Sequence, residues 1–398
     1  MELKKTMCDN TKDLLMILEN IPDPRYKRGV RYKYSHLLLI CIYAVLAGYS
    51  DAIHIAAYAE LYHEYFTDLL GMQKMPSHDT FSRVLRFTSF ESLSQNLGLW
   101  LRENFPETYE KYAEYRVLHV DGKAARAASE KSNGEKPIYH LNAMYEGESI
   151  GVEIMRVGKK DNEISVLPTY LKQFNLEGTI VTVDAIGCNT KVIAAINNGG
   201  GNYVVPVKGN QKGLLEEINR EIEKYEKSTD DWKKLDLVTD IRLEHGRIEK
   251  IEMRLIHNTS FIYEKLGIDS FYGTIAKVGI MDKITKTKKE GKWEETRNRS
   301  IYITDVENMT VDLMYKIRAS HWNIEMRHWI LDLQLGEDRK TARRNDAVTN
   351  GSILRRFCMI VKNKDPELSK KSLTQFQMWN QNPKRTEQLL FGSVAKCD

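Results

Sequence analysis

YRVLHVDGKAAR (Tyr115–Arg126) is the stretch on which the reading of this chain turns. Val117, Leu118 and Val120 read as a short buried strand that runs into an acid, Asp121, with Gly122 and Lys123 directly after it. A carboxylate in that place either opens a polar turn or holds something, a metal ion first of all. GTIVTVDAIG (Gly178–Gly187) repeats the arrangement, with β-branched residues ahead of Asp184 and small residues behind it. Two such strands side by side would bring two carboxylates to one sheet edge. Like charges at that range do not both ionise cheaply. A divalent cation removes the conflict, and hard oxygen ligands select Mg²⁺ or Mn²⁺.

Outward from that stretch the pattern is α/β. VLHVDG (117–122), PIYHLNAMYEG (137–147) and ESIGVEIMRVG (148–158) read as three strands in series. NEISVLPTYLKQFN (162–175) reads as a helix, GTIVTVDAIG as a strand, NTKVIAAINNGGGN (189–202) as a helix closed by glycines, and YVVPVKGNQ (203–211) as a strand. Helices alternating with strands in this order imply one mixed sheet. Residues up to 114 read as helical, with the apolar run LLLICIYAVLAG (37–48) too short to span a bilayer. They also carry the cation- and tyrosine-rich PDPRYKRGVRYKYSH (22–36), which suits either DNA binding or a helical packing module.

From about residue 229 to 300 the helices give way to period-two alternation, VTDIRLEHGRIEKIEMRLIHN (238–258) and FYGTIAKVGIMDKITKT (271–287), with KKEGK (288–292) as a hairpin tip. Long helical stretches follow over 301–363, and residues 364–398 read as a polar, mobile tail. The N-terminus has no secretory apolar region. The five cysteines are scattered without a C-x-x-C pair, which argues against a disulfide framework or a zinc site and suits a reducing cytosol. A net charge of +4 is only a weak pointer to an anionic partner.

IRASHWNIEMRHWILD (317–332) supplies the remaining candidates. On a helix, His321, Glu325 and His328 share a face, whereas Trp322, Trp329 and Ile330 fall on another that reads as core. Two imidazoles and a carboxylate can hold zinc, but the H-E-x-x-H spacing is absent, and a polar helix face backed by tryptophans explains the pattern as well.

Together, DPRYKRGVRY, LLLICIYAVLAG, MPSHDTFSRV, HVDGKAAR, NEISVLP, GTIVTVDAIGCN, YVVPVKGNQ, HGRIE and HWNIEMRHWILD…EDRKTARR resemble, in order from Asp23 to Lys362, the DDE transposases of bacterial insertion sequences. They are most similar to the ISAs-type branch with the H-repeat-associated proteins. The resemblance implies a helical N-terminal domain (1–114) and an RNase H-like core (115–228 and 301–363) interrupted by a β-rich insertion (229–300). It implies Asp121, Asp184 and Glu325 as the catalytic, metal-binding triad, with two Mg²⁺ or Mn²⁺ ions. Such ion pairs stand about 3.5–4 Å apart.

Related transposases carry a Tyr-x-x-Arg-x-x-x-Glu pattern with a Lys seven residues on. Here Arg318, His321 and Asp332 stand at the Tyr, Arg and Lys positions; the branch it resembles also tends to read His-Trp-x-Ile-Glu, so the departure does not imply inactivation but leaves open which side chains contact the phosphate near the cut. Lys123, Arg126, Lys208, Asn210, Arg318 and His321 are the candidate DNA contacts, and Arg343 and Arg344 read as surface charge. Trp293, in the basic hairpin, either stacks on an unpaired base or packs the hairpin. The implied partners are double-stranded DNA, terminal repeats and target, and a second copy of the chain on DNA. No membrane or small-molecule cofactor is implied, and the implied location is the bacterial cytoplasm, at the nucleoid. Two other readings stay open: an RNase H-fold nuclease that does not join strands, and a DNA-binding relic with a vestigial triad.

Overall fold

A computed structural model describes residues 9–28, 30–105, 111–112, 114–125, 138–147, 151–152, 154–157, 163–244, 246–267, 270–289, 292–333, 335 and 346–391. Strands β1 (Lys111–Tyr112), β2 (Tyr115–Ala125), β3 (Ile138–Tyr145), β4 (Met155–Val157), β5 (Thr179–Thr182), β6 (Asn202–Val207), β7 (Asp236–Glu244), β8 (Arg247–Ile256), β9 (Lys277–Lys289) and β10 (Lys292–Thr304) form one sheet. Its order is β4-β3-β2-β5-β6-β10-β9-β8-β7, with β1 also on β2. The pairs β2–β5 and β5–β6 are parallel, and all others are antiparallel. The short central strand TIVT is buried at every residue, as expected of a parallel strand covered on both faces. In β8 burial alternates instead, with Ile251, Met253 and Leu255 turned inward.

Helices α1 (Asp9–Glu19), α2 (Tyr34–Leu46), α3 (Ala52–Leu61), α4 (His63–Leu70), α5 (His78–Phe87) and α6 (Phe90–Asn104) precede the sheet. α7 (Glu163–Leu171) and α8 (Thr190–Asn198) connect the parallel strands, and α9 (Lys212–Lys227), α10 (Thr229–Lys234) and α11 (Ser260–Leu266) follow. α12 (Val311–Leu333), α13 (Ala347–Lys364), α14 (Leu373–Asn380) and α15 (Pro383–Phe391) complete the chain. The sheet is the middle of three layers. On one face Leu118, Val120, Val181 and Val183 pack against Leu167, Val192, Ile196 and Ile218 of α7, α8 and α9. On the other, Val117, Ile180, Val204 and Met253 pack against Met314 and Ile317 of α12. A Cβ at Gly279 of β9 would sit on the Met314 sulfur, so the absence of a side chain there lets α12 lie close.

α2 is apolar all round and buried at every residue but His36, which makes it the axis of a helical cluster rather than a surface helix. That cluster is not confined to the first 114 residues. α13 is buried from Ala347 to Lys362 and packs on α2, α5 and α6. Within the stretch expected as a mobile tail, residues 373–380 and 383–391 fold as α14 and α15, anchored by buried Leu373, Phe376, Leu390 and Phe391, while residues 392–398 lie outside the described residues. A few apolar residues at helical spacing suffice to dock a polar segment, which is why composition alone misses it. β10 runs through the position expected as the end of the insertion and pairs with β6 over Ile301–Thr304, so the insertion strands extend the same sheet. Lys289 pairs with Lys292 at the KKEGK hairpin, whose residues 290–291 lie outside the described residues.

Candidate functional site

The parallel ladder between β2 and β5 ends at the pair His119↔Thr182. Asp121 and Asp184 therefore each stand two residues beyond the same rung. Side chains two apart share a sheet face, so His119, Asp121, Thr182 and Asp184 belong to the face that α12 covers. Asp121 does not end its strand, however. β2 continues alongside β3 to Ala125, and Asp121 sits opposite Asn142 at the point where β5 leaves off.

After Asp184 the chain makes a tight 3-10 turn, Ala185–Gly187. A Cβ at Gly187 would lie 2.8 Å from Val183 Cβ, so only glycine lets the turn fold back there. Asn210 donates its amide to the Ala185 carbonyl (2.7 Å), and Gln211 donates to the Cys188 carbonyl (2.9 Å). Asn210, expected as a DNA contact, thus braces the loop that carries Asp184.

On α12, Arg318, His321, Glu325 and His328 follow one another at helical spacing towards the acids. His328 Nδ1 is 3.2 Å from Asp121 Oδ2, and Asp121 Oδ1 accepts from the Gly122 amide at 2.8 Å. His321 Nδ1 is 2.7 Å from Thr182 Oγ1, and its Nε2 faces Asp184 Oδ1 at 3.9 Å. Burial raises the Glu325 carboxyl above its ordinary pKa; Asp121 and Asp184 add to the shift and Arg318 opposes it. Asp184 is raised in the same way by burial and by Asp121, against Lys208. The three acids are thus within one another's electrostatic reach. Burial, followed by His119, lowers the pKa of His321 to about 4.

A cleft of about 570 Å³ opens beside them, lined among others by Asp184, Lys208, Tyr302, Arg318, Trp322 and Glu325. Arg318 donates to the Tyr302 hydroxyl at 3.2 Å. Arg299 also borders the cleft, but it is bound to Asp282 (2.8 Å) and Glu226 (2.7 Å). Trp322 and Trp329 are 58% and 50% exposed, which corrects the expectation that they are core; Ile330 is half-buried against the helical cluster. The apolar work of α12 falls instead to Met314, Ile317, Ile324 and Leu331.

Trp293 is exposed and pairs with Lys288. It lies eight residues before Ile301, roughly 26 Å along the strand, and is not among the cleft residues. Lys123 lies in β2, but its side chain falls outside the described residues, as do Arg126, Arg343 and Arg344.

The residues met only in the structure are His119, Thr182, Glu146 and Asn323. His119 is fully buried, 2.7 Å from Thr182 Oγ1 through Nδ1 and 2.8 Å from Glu146 through Nε2. Asn323 donates to the other Glu146 oxygen at 2.9 Å. Period two from the acids would have found His119 and Thr182. Glu146 and Asn323 meet them only through the tertiary fold.

Among the described residues no three His, Cys, Asp or Glu side chains converge as a finished metal cage. Both Asp121 oxygens are engaged within the protein. The donor set nevertheless suits a hard divalent cation, because Asp121 adds to the raised pKa of both Asp184 and Glu325 and the buried His321 Nε2 has no hydrogen-bond partner.

Residues 112–361 match the family described as "Transposase DDE domain", and residues 15–101 match the "DDE_Tnp_1-associated" family. The chain is 25% identical over 372 residues to the "H repeat-associated putative transposase YhhI" of Escherichia coli (strain K12), covering 92% of each chain. It is 26% identical over the same length to the "Putative protein YbfL" of the same strain, again covering 92% of each. A third relative, the "Uncharacterized protein in dhlA 3'region" of Xanthobacter autotrophicus, is 30% identical over 240 residues, covering 58% of this chain and 76% of that one.

Proposed function

The chain belongs to the transposase DDE domain family, and from that premise we propose that it cuts and rejoins DNA at Asp121, Asp184 and Glu325. The observation that carries the reading is register. The two aspartates stand two residues past one rung of a parallel ladder, and Glu325 on α12 shifts with both of them. The order β4-β3-β2-β5-β6, an antiparallel meander joined to two parallel strands, supports an RNase H-like core with β7–β10 as its insertion.

In this reading the three carboxylates hold divalent cations, which when bound polarise a scissile phosphate and activate the attacking oxygen. The protein positions the DNA. Lys208 and Arg318 offer cations at the cleft for non-bridging phosphate oxygens, and Tyr302 orients Arg318. Trp322 presents an exposed indole beside Glu325 on which an unpaired base can stack. Arg299, held by two carboxylates, is a structural cation. The partners are double-stranded DNA ends and a target duplex, with two copies of the chain to pair two ends. No helix among the described residues is long and apolar enough to cross a membrane.

The engagement of Asp121 by His328 and Gly122 favours one competing reading, a DNA-binding relic without chemistry. The experiment that separates them incubates the protein with Mg²⁺ or Mn²⁺ and a plasmid bearing the DNA that flanks its own gene. Nicks at the element boundary, followed by joined products, support the transposase. Specific binding without nicks supports the relic, and nicks without joining support a nuclease.

A further inference from the structure

A buried hydrogen-bond chain runs from Glu146 to the acids, and a neutral His119 fixes its polarity. Glu146 accepts on both oxygens, from Asn323 at 2.9 Å and from His119 Nε2 at 2.8 Å. A neutral His119 that donates from Nε2 has a lone pair on Nδ1. Thr182, 2.7 Å away, therefore donates its single hydroxyl proton to His119. The same hydroxyl lies 2.7 Å from His321 Nδ1, and with its proton committed it can only accept there. With His119 neutral, His321 carries its proton on Nδ1 and a bare lone pair on Nε2. That nitrogen is buried, has no hydrogen-bond partner and faces Asp184 Oδ1 at 3.9 Å. Two acceptor atoms then stand 3.9 Å apart, too far for a hydrogen bond and within the spacing of two ligands of one cation. Two ligands of one ion, each about 2.1 Å from it, stand about 3–4 Å apart.

We propose that His321 is itself a metal ligand, binding through Nε2 beside Asp184, and that Glu146, His119 and Thr182 set its tautomer. The proposal rests on the metal-dependent reading above and deepens it. Imidazole suits Mn²⁺ better than Mg²⁺, and the site is expected to prefer Mn²⁺. Glu146 acts at a distance, through His119 and Thr182, and is a positioning residue.

The test is Mn²⁺ binding to the DNA-free full chain, followed by electron paramagnetic resonance. Free-ion titration gives the affinity, and the pulsed experiment reads imidazole nitrogen coupled to the bound ion. Wild type is expected to show the coupling, His321→Gln to lose it, and His328→Gln to keep it. Glu146→Gln keeps the size of the side chain but offers one acceptor oxygen where two donors need one. It is expected to weaken Mn²⁺ affinity about tenfold, the usual scale for a partner that orients a ligand. Far-ultraviolet circular dichroism matching wild type establishes that each variant is folded. Wild type that binds no Mn²⁺, bound Mn²⁺ without nitrogen coupling, or coupling that survives His321→Gln would overturn the proposal. Because no DNA is used, a chain that binds Mn²⁺ through His321 yet never cuts DNA keeps this proposal and loses only the transposase reading. A chain that cuts with Mn²⁺ but shows no coupling does the reverse.

Discussion

Thr182→Val removes one oxygen from the middle of the buried chain and leaves the shape almost unchanged. Thr182 is 3% exposed, and its hydroxyl is 2.7 Å from a ring nitrogen on either side. With valine, Nδ1 of His119 and Nδ1 of His321 both lose their partner. An unsatisfied buried polar atom costs roughly 1–3 kcal/mol, so the pair costs about 2–6 kcal/mol. The added methyl returns about 0.8 kcal/mol, and rearrangement of the partly exposed His321 offsets some of the rest. A net loss of about 2–4 kcal/mol is expected. Thr182→Ser keeps the hydroxyl and loses one methyl, at about 1 kcal/mol. Urea unfolding followed by both tryptophan fluorescence and far-ultraviolet circular dichroism measures the difference, with coincident transitions required before a free energy is read. If valine falls within about 0.5 kcal/mol of wild type, or serine proves worse than valine, the hydrogen-bond chain does not exist as described.

Three further outcomes follow from the same geometry. Burial raises the Asp305 carboxyl to about 6, against a hydrogen bond from the Tyr203 amide. Its folded pKa is above the unfolded one, so it favours the folded state at low pH and loses that contribution as pH rises to about 6. Asp305→Asn should flatten stability between pH 4 and 6 by about 1–3 kcal/mol in unfolding titrations. Burial also acts to raise Asp282, but Arg299 and Arg297 outweigh it and hold the pKa low, so this group stabilises above the unfolded carboxylate pKa and stops doing so as pH falls through its depressed value. Asp282→Asn should cost about 2–4 kcal/mol at neutral pH, less below pH 4, since both arginines retain some access to water. Trp322→Ala should weaken binding to DNA with an unpaired end by roughly 5- to 150-fold in fluorescence anisotropy, the equivalent of about 1–3 kcal/mol of stacking, with thermal stability nearly unchanged.

The placement of the two candidate aspartates was legible because strands impose their period on sequence. Asp121 and Asp184 follow similar β-branched runs, and similar runs made neighbouring strands with one register. The helix at 317–332 was legible as well, but which side it buries was not. Trp322 and Trp329 are the largest apolar residues on it and are half-exposed, whereas the smaller Met314, Ile317, Ile324 and Leu331 face the sheet and the helical cluster. Residue size does not decide burial when a large ring borders an open cleft. Asn210 shows a second limit, since an amide in a glycine turn reads the same whether it meets DNA or the carbonyl of Ala185. α14 and α15 show a third: four buried anchors dock a segment whose composition is that of a tail. The His119–Glu146 contact joins residues of different elements and has no signature along the chain.

The central claim is that Asp121, Asp184 and Glu325 act together on a phosphate with divalent metal. The measurement that tests it most directly is the rate of Mg²⁺- or Mn²⁺-dependent nicking of labelled element-end DNA by wild type, Asp121→Asn, Asp184→Asn and Glu325→Gln. The DNA affinity of each is measured in parallel. Nicking at the boundary by wild type, lost in all three variants while each still binds the DNA, is the expected result. Cleavage that survives any one of the substitutions would contradict the account, because that carboxylate would then not belong to the site.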